Sequence, residues 1–227
     1  MAEVLHNPVY NALLSGDAHL ALGSGAVRYF PSQVSPFAGF HEDYKDGFAD
    51  LYDQLPARRT IIYARHEKIV EPKGWEILVA MEGLQFVHNC IRPSLDSAIP
   101  LEPLTPAYAE EMVALAALTK PGPFDLRTME FGHYYGVFAG EKLVAMTGQR
   151  MHVENNTEIS AVCTHPDHLG NGYAAALMQH QIDLILSHGQ KPFLHVRADN
   201  ERAITLYKRI GFSVSREMNF YFLRKRS

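Results

Sequence analysis

The sequence predicts an α/β fold organised around a mixed sheet, and three observations support this prediction. The chain has 227 residues, of which 47% are hydrophobic and 20% are charged, so it can bury a core of ordinary size. Runs with strand periodicity alternate with runs of helical periodicity along its second half. A loop that contains Gly170 and Gly172 joins a β-branched run to an amphipathic helical run.

The pattern of residues 1–97 predicts an amino-terminal α/β domain that forms a layer of its own. No side-chain pattern in this part indicates a reaction. The expected elements are a helix at 7–14, a strand at 27–30, a helix at 44–55, and strands at 60–63 and 84–87. Aromatic residues of this part, Trp75 among them, are expected in the core because they bury large areas. Prolines at positions 93, 100, 103 and 106 stiffen the chain and place the boundary with a second domain, residues 98–227.

The second domain shows a regular succession of elements. Ile99 and Leu101 indicate a first strand, and Thr105 is expected to cap a helix that has Pro106 at its first position. The following elements are expected at 134–138, 142–146 and 158–164 as strands, at 174–186 as a helix, at 193–196 as a strand and at 200–210 as a helix, before a last strand. The predicted order is therefore strand, helix, three strands, helix, strand, helix, strand.

The two glycines lie where the first free N–H groups of a helix are exposed. Pro166 and Asp167 end the preceding strand, because proline lacks a ladder donor and aspartate favours turns. Without a Cβ at 170 and 172, an anion can approach the backbone donors and the positive end of the helix dipole. We interpret the loop as a cradle for a pyrophosphate.

Two known kinds of glycine-containing loop lead from a strand into a helix in this way. Gly170, Gly172 and Ala175 satisfy the dinucleotide pattern G-x-G-x-x-A, but the first glycine follows its strand too late and no carboxylate closes the next strand. The stretch 169–174 instead resembles motif A of the GNAT superfamily of acyl-CoA N-acyltransferases, R/Q-x-x-G-x-G/A. Leu169 stands where that family usually has Arg or Gln. An NAD-binding fold stays as the less favoured alternative.

A second segment strengthens the GNAT resemblance. Residues 200–212 resemble the family motif N-x-x-A-x-x-L-Y-x-x-x-G-F without a gap, and residues 192–200 are similar to the glycine N-acyltransferase-like branch. The likeness covers roughly residues 100–225 and implies the GNAT fold there. By the same analogy, the amino-terminal domain would be a degenerate copy of that fold.

The resemblance implies transfer of an acyl group, expected to be acetyl, from acyl-CoA to a primary amine by direct attack in a ternary complex. Acyl-CoA is then a co-substrate. The residues that the resemblance assigns to its binding are Val162, Cys163, Thr164, Leu169, Gly170, Asn171, Gly172, Tyr173, Ala174, Asn200 and Ala203. Backbone N–H groups of 162–164 would bind the pantetheine arm and polarise the thioester if this strand splays from the one at 193–196.

Two residues are candidates for proton transfer. In the family, the tyrosine that corresponds to Tyr207 protonates the thiolate of CoA, and the alternative here is a core tyrosine. Glu158 occupies the strand position of a catalytic glutamate in some relatives, so it is a candidate base. It could equally be a solvent-facing strand carboxylate, with a water chain, His165 or His168 as the base. Cys163 fits a small buried thiol better than an acylated nucleophile.

Composition limits the partners. A net charge of -4 without a large basic cluster argues against nucleic acid, and no stretch has the roughly 20 apolar residues of a membrane span. His165 and His168 lack a second pair of ligands, so no metal is expected. We expect a cytoplasmic enzyme that acts on a small-molecule amine or an amino acid. The alternative is a CoA-binding sensor without turnover. The sequence gives no indication of the oligomeric state.

Overall fold

A computed structural model describes residues 4–90 and 98–226. The α-helices are α1 (Pro8–Leu14), α2 (Gly47–Gln54), α3 (Ala109–Thr119), α4 (Tyr173–Ser187) and α5 (Glu201–Arg209). The strands are β1 (Val27–Tyr29), β2 (Ala38–Phe40), β3 (Thr60–Arg65), β4 (Trp75–His88), β5 (Glu102–Pro103), β6 (Tyr135–Ala139), β7 (Lys142–Val153), β8 (Asn156–Thr164), β9 (Lys191–Arg197) and β10 (Phe212–Lys225).

Eight of these strands form one mixed sheet in the order β3-β10-β4-β9-β8-β7-β6-β5, while β1 and β2 pair separately. All neighbouring strands of the large sheet are antiparallel except β8 and β9, which are parallel. The mixed α/β architecture is therefore confirmed. The order of elements after residue 98 also matches the prediction, from β5 and α3 through to β10.

The amino-terminal strands β3 and β4 belong to the large sheet rather than to a layer of their own, in contrast to the expectation. Strand β4 lies between β9 and β10 and is hydrogen-bonded to both, so strands from the two halves of the chain alternate in one sheet. Trp75 is 1% exposed and belongs to the core, as predicted. The predicted boundary at 97 lies at the end of a stretch, 91–97, outside the described residues, and the division into two domains stays a prediction.

The entry into α3 also differs from the expectation. Thr105 makes no side-chain cap, and residues 106–108 form a 3-10 turn before α3 begins at Ala109. The strand expected around Ile99 and Leu101 is reduced to the two residues of β5 at the sheet edge. Prolines at 100 and 103 explain the short strand, because each removes an N–H donor from the ladder.

The sheet carries helices on both faces. On one face, Met178, Ile182 and Ile185 of α4 pack with Ile159, Leu194 and α5, and we call this the donor face. On the other face, α1 packs against a cluster that includes Phe193 and Phe220, and we call this the acceptor face. Since side chains of a strand alternate between the faces, Leu194 and Phe193 lie on opposite sides of β9.

Strands β8 and β9 separate soon after they meet. Their parallel pairing covers only Asn156–Glu158 with Lys191–Phe193, and the rest of β9 pairs with β4. On its other side, β8 has a bulge, because Ala161 and Val162 together lie opposite Thr147 of β7. Ala161 adopts a positive φ of 54°, which is uncommon for a residue with a side chain. The predicted splay is thus confirmed, and it opens the centre of the sheet.

Candidate active site

A cleft of about 1170 Å³ occupies the gap between the splayed strands. Its walls are the second half of β8, the end of β9, the loop at 168–172 with the first turn of α4, and α5. Further lining residues come from the loop after α3 and from the acceptor face, where Phe37, Ile62 and Phe220 border the cleft. The cleft therefore runs through the sheet from one face to the other.

The glycine loop has the geometry of an anion cradle. Gly170 and Gly172 have φ values of +87° and +80°, a region that side-chain-bearing residues rarely adopt. No heavy atom lies within 4 Å of the position that a Cβ of Gly170 would take, so the backbone borders open space. Gly172 is the N-cap of α4, and no side chain caps the helix. The first N–H groups of α4 are thus available to an anion.

Leu169 adds no hydrogen-bond donor to this loop. It is extended, with φ of −68°, and its side chain is 47% exposed. Positive side chains line the cleft elsewhere, namely Lys120, Arg150, Arg197, Arg202 and Arg209. Among the described lining residues there is no Asp or Glu, although the chain as a whole has a net charge of -4. Arg150 and Arg197 are paired with Glu158 and Asp199, so the attraction of the cleft for anions rests mainly on Lys120, Arg202 and Arg209.

Tyr207 borders the cleft from α5. Its ring packs against Phe86 and Phe212 at centroid distances of 6.2 Å, and the residue is 7% exposed. Burial raises the pKa of Tyr207 to about 12, so the phenol keeps its proton at neutral pH. Within residues 4–90 and 98–226, its hydroxyl has no hydrogen-bond partner. The hydroxyl is therefore available to a ligand in the cleft.

Asn200 shapes the start of α5. Its side-chain oxygen accepts a hydrogen bond from the backbone N–H of Ala203 at 3.2 Å, which confirms it as the N-cap. Both residues line the cleft. The cap thus fixes the helix that presents Tyr207.

Cys163 lines the cleft together with Val162 and Thr164. Burial raises the pKa of the Cys163 thiol to about 11, so it stays protonated at neutral pH. A protonated thiol is a poor nucleophile. The surroundings of Cys163 favour the prediction of a packing residue over an acylated one.

Glu158 lies beside the cleft in a buried ionic cluster with Arg150 and His195. Arg150 donates two hydrogen bonds to its carboxylate, from Nε at 2.8 Å and from Nη2 at 2.9 Å, and His195 Nδ1 lies 2.8 Å from Oε1. Burial alone would raise the pKa of Glu158, but the charge and hydrogen bonds of Arg150, together with the hydrogen bond from His195, lower it to about 2. Glu158 is fully buried and does not line the cleft.

Gln85 fixes the proton on His195. The Gln85 amide nitrogen donates to the Leu5 carbonyl at 2.9 Å and lies 3.1 Å from His195 Nε2. Because the amide is the donor, Nε2 is the acceptor and the imidazole proton is assigned to Nδ1, toward Glu158. In this arrangement both nitrogens of His195 are engaged, and the carboxylate of Glu158 does not reach the cleft.

Comparison with solved structures decides the family. A crystal structure of a protein from Novosphingobium aromaticivorans, assigned to the GNAT family of acetyltransferases, is 33% identical, with a TM-score of 0.92 and coverage of 99% of both chains. The chain belongs to the GNAT family. The FR47-like protein family matches residues 134–221, which include the glycine loop and Tyr207.

More distant structures share the fold of this GNAT protein. A GCN5-related N-acetyltransferase from Kribbella flavida is 15% identical, covers 98% of this chain and 96% of its own, and has a TM-score of 0.60. A Drosophila protein is 16% identical over 88% of this chain and 74% of its own, with a TM-score of 0.63. No curated protein matches the chain. The glycine N-acyltransferase-like branch stays a prediction.

The structure brings most of the predicted residues of this GNAT protein to one cleft. The loop 169–174, the strand segment 162–164, Asn200, Ala203 and Tyr207 all line it. Of the alternative bases, His168 lines the cleft, while His165 accepts a hydrogen bond from the Asp167 N–H at 3.2 Å within its own turn.

Sequence reasoning missed Arg150, His195 and Gln85. They lie on three different strands, so no local spacing connects them. The available signal was a polar residue at an inward position of an otherwise apolar strand, as Gln85 is in 84–87.

The described residues contain no group of three or more His, Cys, Asp or Glu side chains that could hold a metal ion. No helix in the described part of the chain is long and apolar enough to cross a membrane.

Proposed function

We propose that the protein is an N-acetyltransferase that moves an acetyl group from acetyl-CoA to a primary amine by direct attack in a ternary complex. One observation carries the proposal. A single cleft joins the open nest at Gly170 and Gly172 to the unbonded hydroxyl of Tyr207 between splayed strands. Acetyl-CoA supplies the activated acyl group, as a thioester.

The residues present fit such a co-substrate. The N–H groups at the start of α4 would hold the pyrophosphate, and the space at Gly170 allows close approach. Without Arg or Gln at position 169, the positive charge comes from side chains elsewhere in the cleft, Arg202 and Arg209 of α5 among them. Backbone groups of 162–164 would bind the pantetheine arm and polarise the thioester carbonyl.

Tyr207 would donate its proton to the thiolate that the transfer releases. In water, a thiol and a phenol have pKa values of about 8.5 and 10. In this cleft, burial raises the pKa of Cys163 to about 11 and that of Tyr207 to about 12. A CoA thiol bound in the same apolar surroundings would have its pKa raised as that of Cys163 is, which keeps the proton affinities of the thiolate and the phenol close, so the phenol can act as the acid.

The acceptor amine needs to lose its proton before it attacks. Glu158 was the predicted base, but a carboxylate with a pKa of about 2 and both oxygens paired is a weak proton acceptor. We propose instead that Glu158 positions Arg150 and His195. The positive cleft disfavours a bound ammonium ion, so the amine binds in its neutral form and its proton leaves through water.

Release of CoA from acetyl-CoA, measured with a thiol reagent across a panel of primary amines, tests this function. We expect amine-dependent release that falls about a hundredfold or more in Tyr207→Phe, with unchanged affinity for acetyl-CoA. Tyr134→Phe is the matched control, because Tyr134 is also buried but does not line this cleft. If the protein binds CoA but acetylates none of the amines, the proposed enzyme function is wrong and the alternative of a CoA sensor is favoured.

A further inference from the structure

On the acceptor face, the wall of the cleft is mainly apolar. This wall comes from elements far apart in the chain: Phe37 before β2, Ile62 of β3, Met81 of β4, and Phe220 and Phe222 of β10. These residues belong to or pack against the core cluster under α1, whereas Tyr207 belongs to the cluster of the donor face. An acceptor that fills this side of the cleft therefore meets mainly hydrocarbon and aromatic surface.

One cation interrupts this apolar wall. Arg150 lines the cleft, and its guanidinium lies 4.9 Å from the ring centroid of Phe37. Its Nε and Nη2 bind Glu158, while Nη1 makes no hydrogen bond with any described residue. Glu158 holds the guanidinium in place from behind, with a side chain that is only 1% exposed. Arg150 thus offers a fixed, charged donor edge toward the cleft.

From this arrangement we infer that the acceptor carries a carboxylate beside an apolar body, as in an α-amino acid with a hydrophobic side chain. This inference rests on the proposed acetyl transfer and names the substrate class for it. The carboxylate would accept hydrogen bonds from the Arg150 guanidinium, a pairing that suits the planar fork of arginine. The apolar side chain would contact Phe37, Ile62 and Phe220.

Charge around the guanidinium supports an anion here. The described residues that line the cleft include no Asp or Glu that would repel a carboxylate. The nearest carboxylate, Glu158, has its oxygens bonded to Arg150 and His195. An acceptor with a second positive charge in place of the carboxylate would face Arg150 across a water-poor wall, which is unfavourable.

The test measures how the wild-type protein uses three matched acceptors. Leucine, leucinamide and 3-methylbutylamine share the apolar body and differ at the carboxylate. We expect kcat/KM for leucine to exceed that for leucinamide about ten- to a hundredfold, the usual value of a charged hydrogen bond. Leucinamide has the more acidic amine and the larger neutral fraction, so amine basicity cannot produce this preference. Equal or better use of leucinamide would overturn the inference.

Two variants assign the preference to Arg150. Glu158→Gln keeps the guanidinium and should keep the preference for leucine. Arg150→Gln combined with Glu158→Gln removes the guanidinium without leaving an unpaired buried carboxylate, and it should use leucine and leucinamide equally while still acetylating leucinamide. A double variant that retains the preference would contradict the inference, provided that its melting temperature shows a folded protein.

Binding separates this inference from the proposed function. Calorimetry on the protein saturated with CoA measures leucine and leucinamide without any turnover. Tighter binding of leucine supports the carboxylate site even if no amine releases CoA, and in that case the acetyltransferase proposal alone fails. Equal binding, or none, overturns the carboxylate site whatever the activity.

Discussion

The two faces of the cleft are built in different ways. The donor face uses backbone groups and short motifs: the nest at Gly170 and Gly172, the cap at Asn200, and Tyr207 about two helix turns further along α5. The acceptor face uses side chains from strands that meet only in the folded sheet, with Arg150, Glu158 and His195 at its centre. The comparison teaches that, under the proposed function, local geometry would hold a phosphate-bearing ligand, whereas the choice of acceptor would depend on long-range packing.

Removal of the Arg150 charge should produce the largest effect on stability. In Arg150→Gln, the fully buried Glu158 loses its bidentate partner, and we expect a loss of about 3–5 kcal/mol in the free energy of unfolding. Urea denaturation measures it. The double variant with Glu158→Gln should recover most of the loss, because the uncompensated charge is gone. An Arg150→Gln protein as stable as the original would show that the acceptor face does not depend on this pair.

Acid should remove the stabilisation that the buried Glu158 carboxylate gives the folded protein. The pKa of Glu158 is lowered from 4.5 to about 2 in the folded protein, so the unfolded chain takes up its proton first as the pH falls. The stabilisation is fully present above about pH 4.5 and is lost between pH 4.5 and 2, up to about 3 kcal/mol. Denaturation at several pH values should show a steeper loss in the wild type than in Glu158→Gln. Parallel curves would argue against the ion pair.

On the donor face, a methyl group at Gly170 should weaken acetyl-CoA binding. Gly170→Ala places a side chain in the left-handed region and in the space of the nest, so we expect about tenfold weaker binding and a stability loss of about 1 kcal/mol. Gly140→Ala is the control, since Gly140 also has a positive φ and open space but does not line the cleft. It should lose similar stability and keep its affinity. Equal affinity for acetyl-CoA in the two variants would show that the nest does not take part in binding it.

The smallest expected effect is an improvement, namely a lower KM for acetyl-CoA. Leu169→Arg restores the residue type that motif A usually has, on a side chain that is 47% exposed, so it should cost little stability. We expect the KM for acetyl-CoA to fall about threefold to tenfold, as for one added charged contact to phosphate. Leu126→Arg adds the same charge to a leucine that is 50% exposed and does not line the cleft, and its KM should not change. A fall in both would indicate general electrostatic attraction.

Local sequence patterns determined most of the donor face. The position of Gly170 and Gly172 at the start of a helix, the Asn200 cap and the helical spacing of 203–210 follow from interactions within a few residues, so the sequence predicts them correctly. The prolines near position 100 show the limit of such patterns, since the predicted strand there is reduced to the two residues of β5.

Only the tertiary structure decided the acceptor face. Insertion of β4 between β9 and β10, with β3 on the other side of β10, brings these two amino-terminal strands into the same sheet, and with them part of the apolar wall and Gln85. The surroundings of Glu158 were also beyond local patterns, because Arg150 lies on β7 and His195 on β9. Strand pairing joins residues at large sequence separations, and the pKa of a buried carboxylate depends on those partners rather than on its neighbours in the chain.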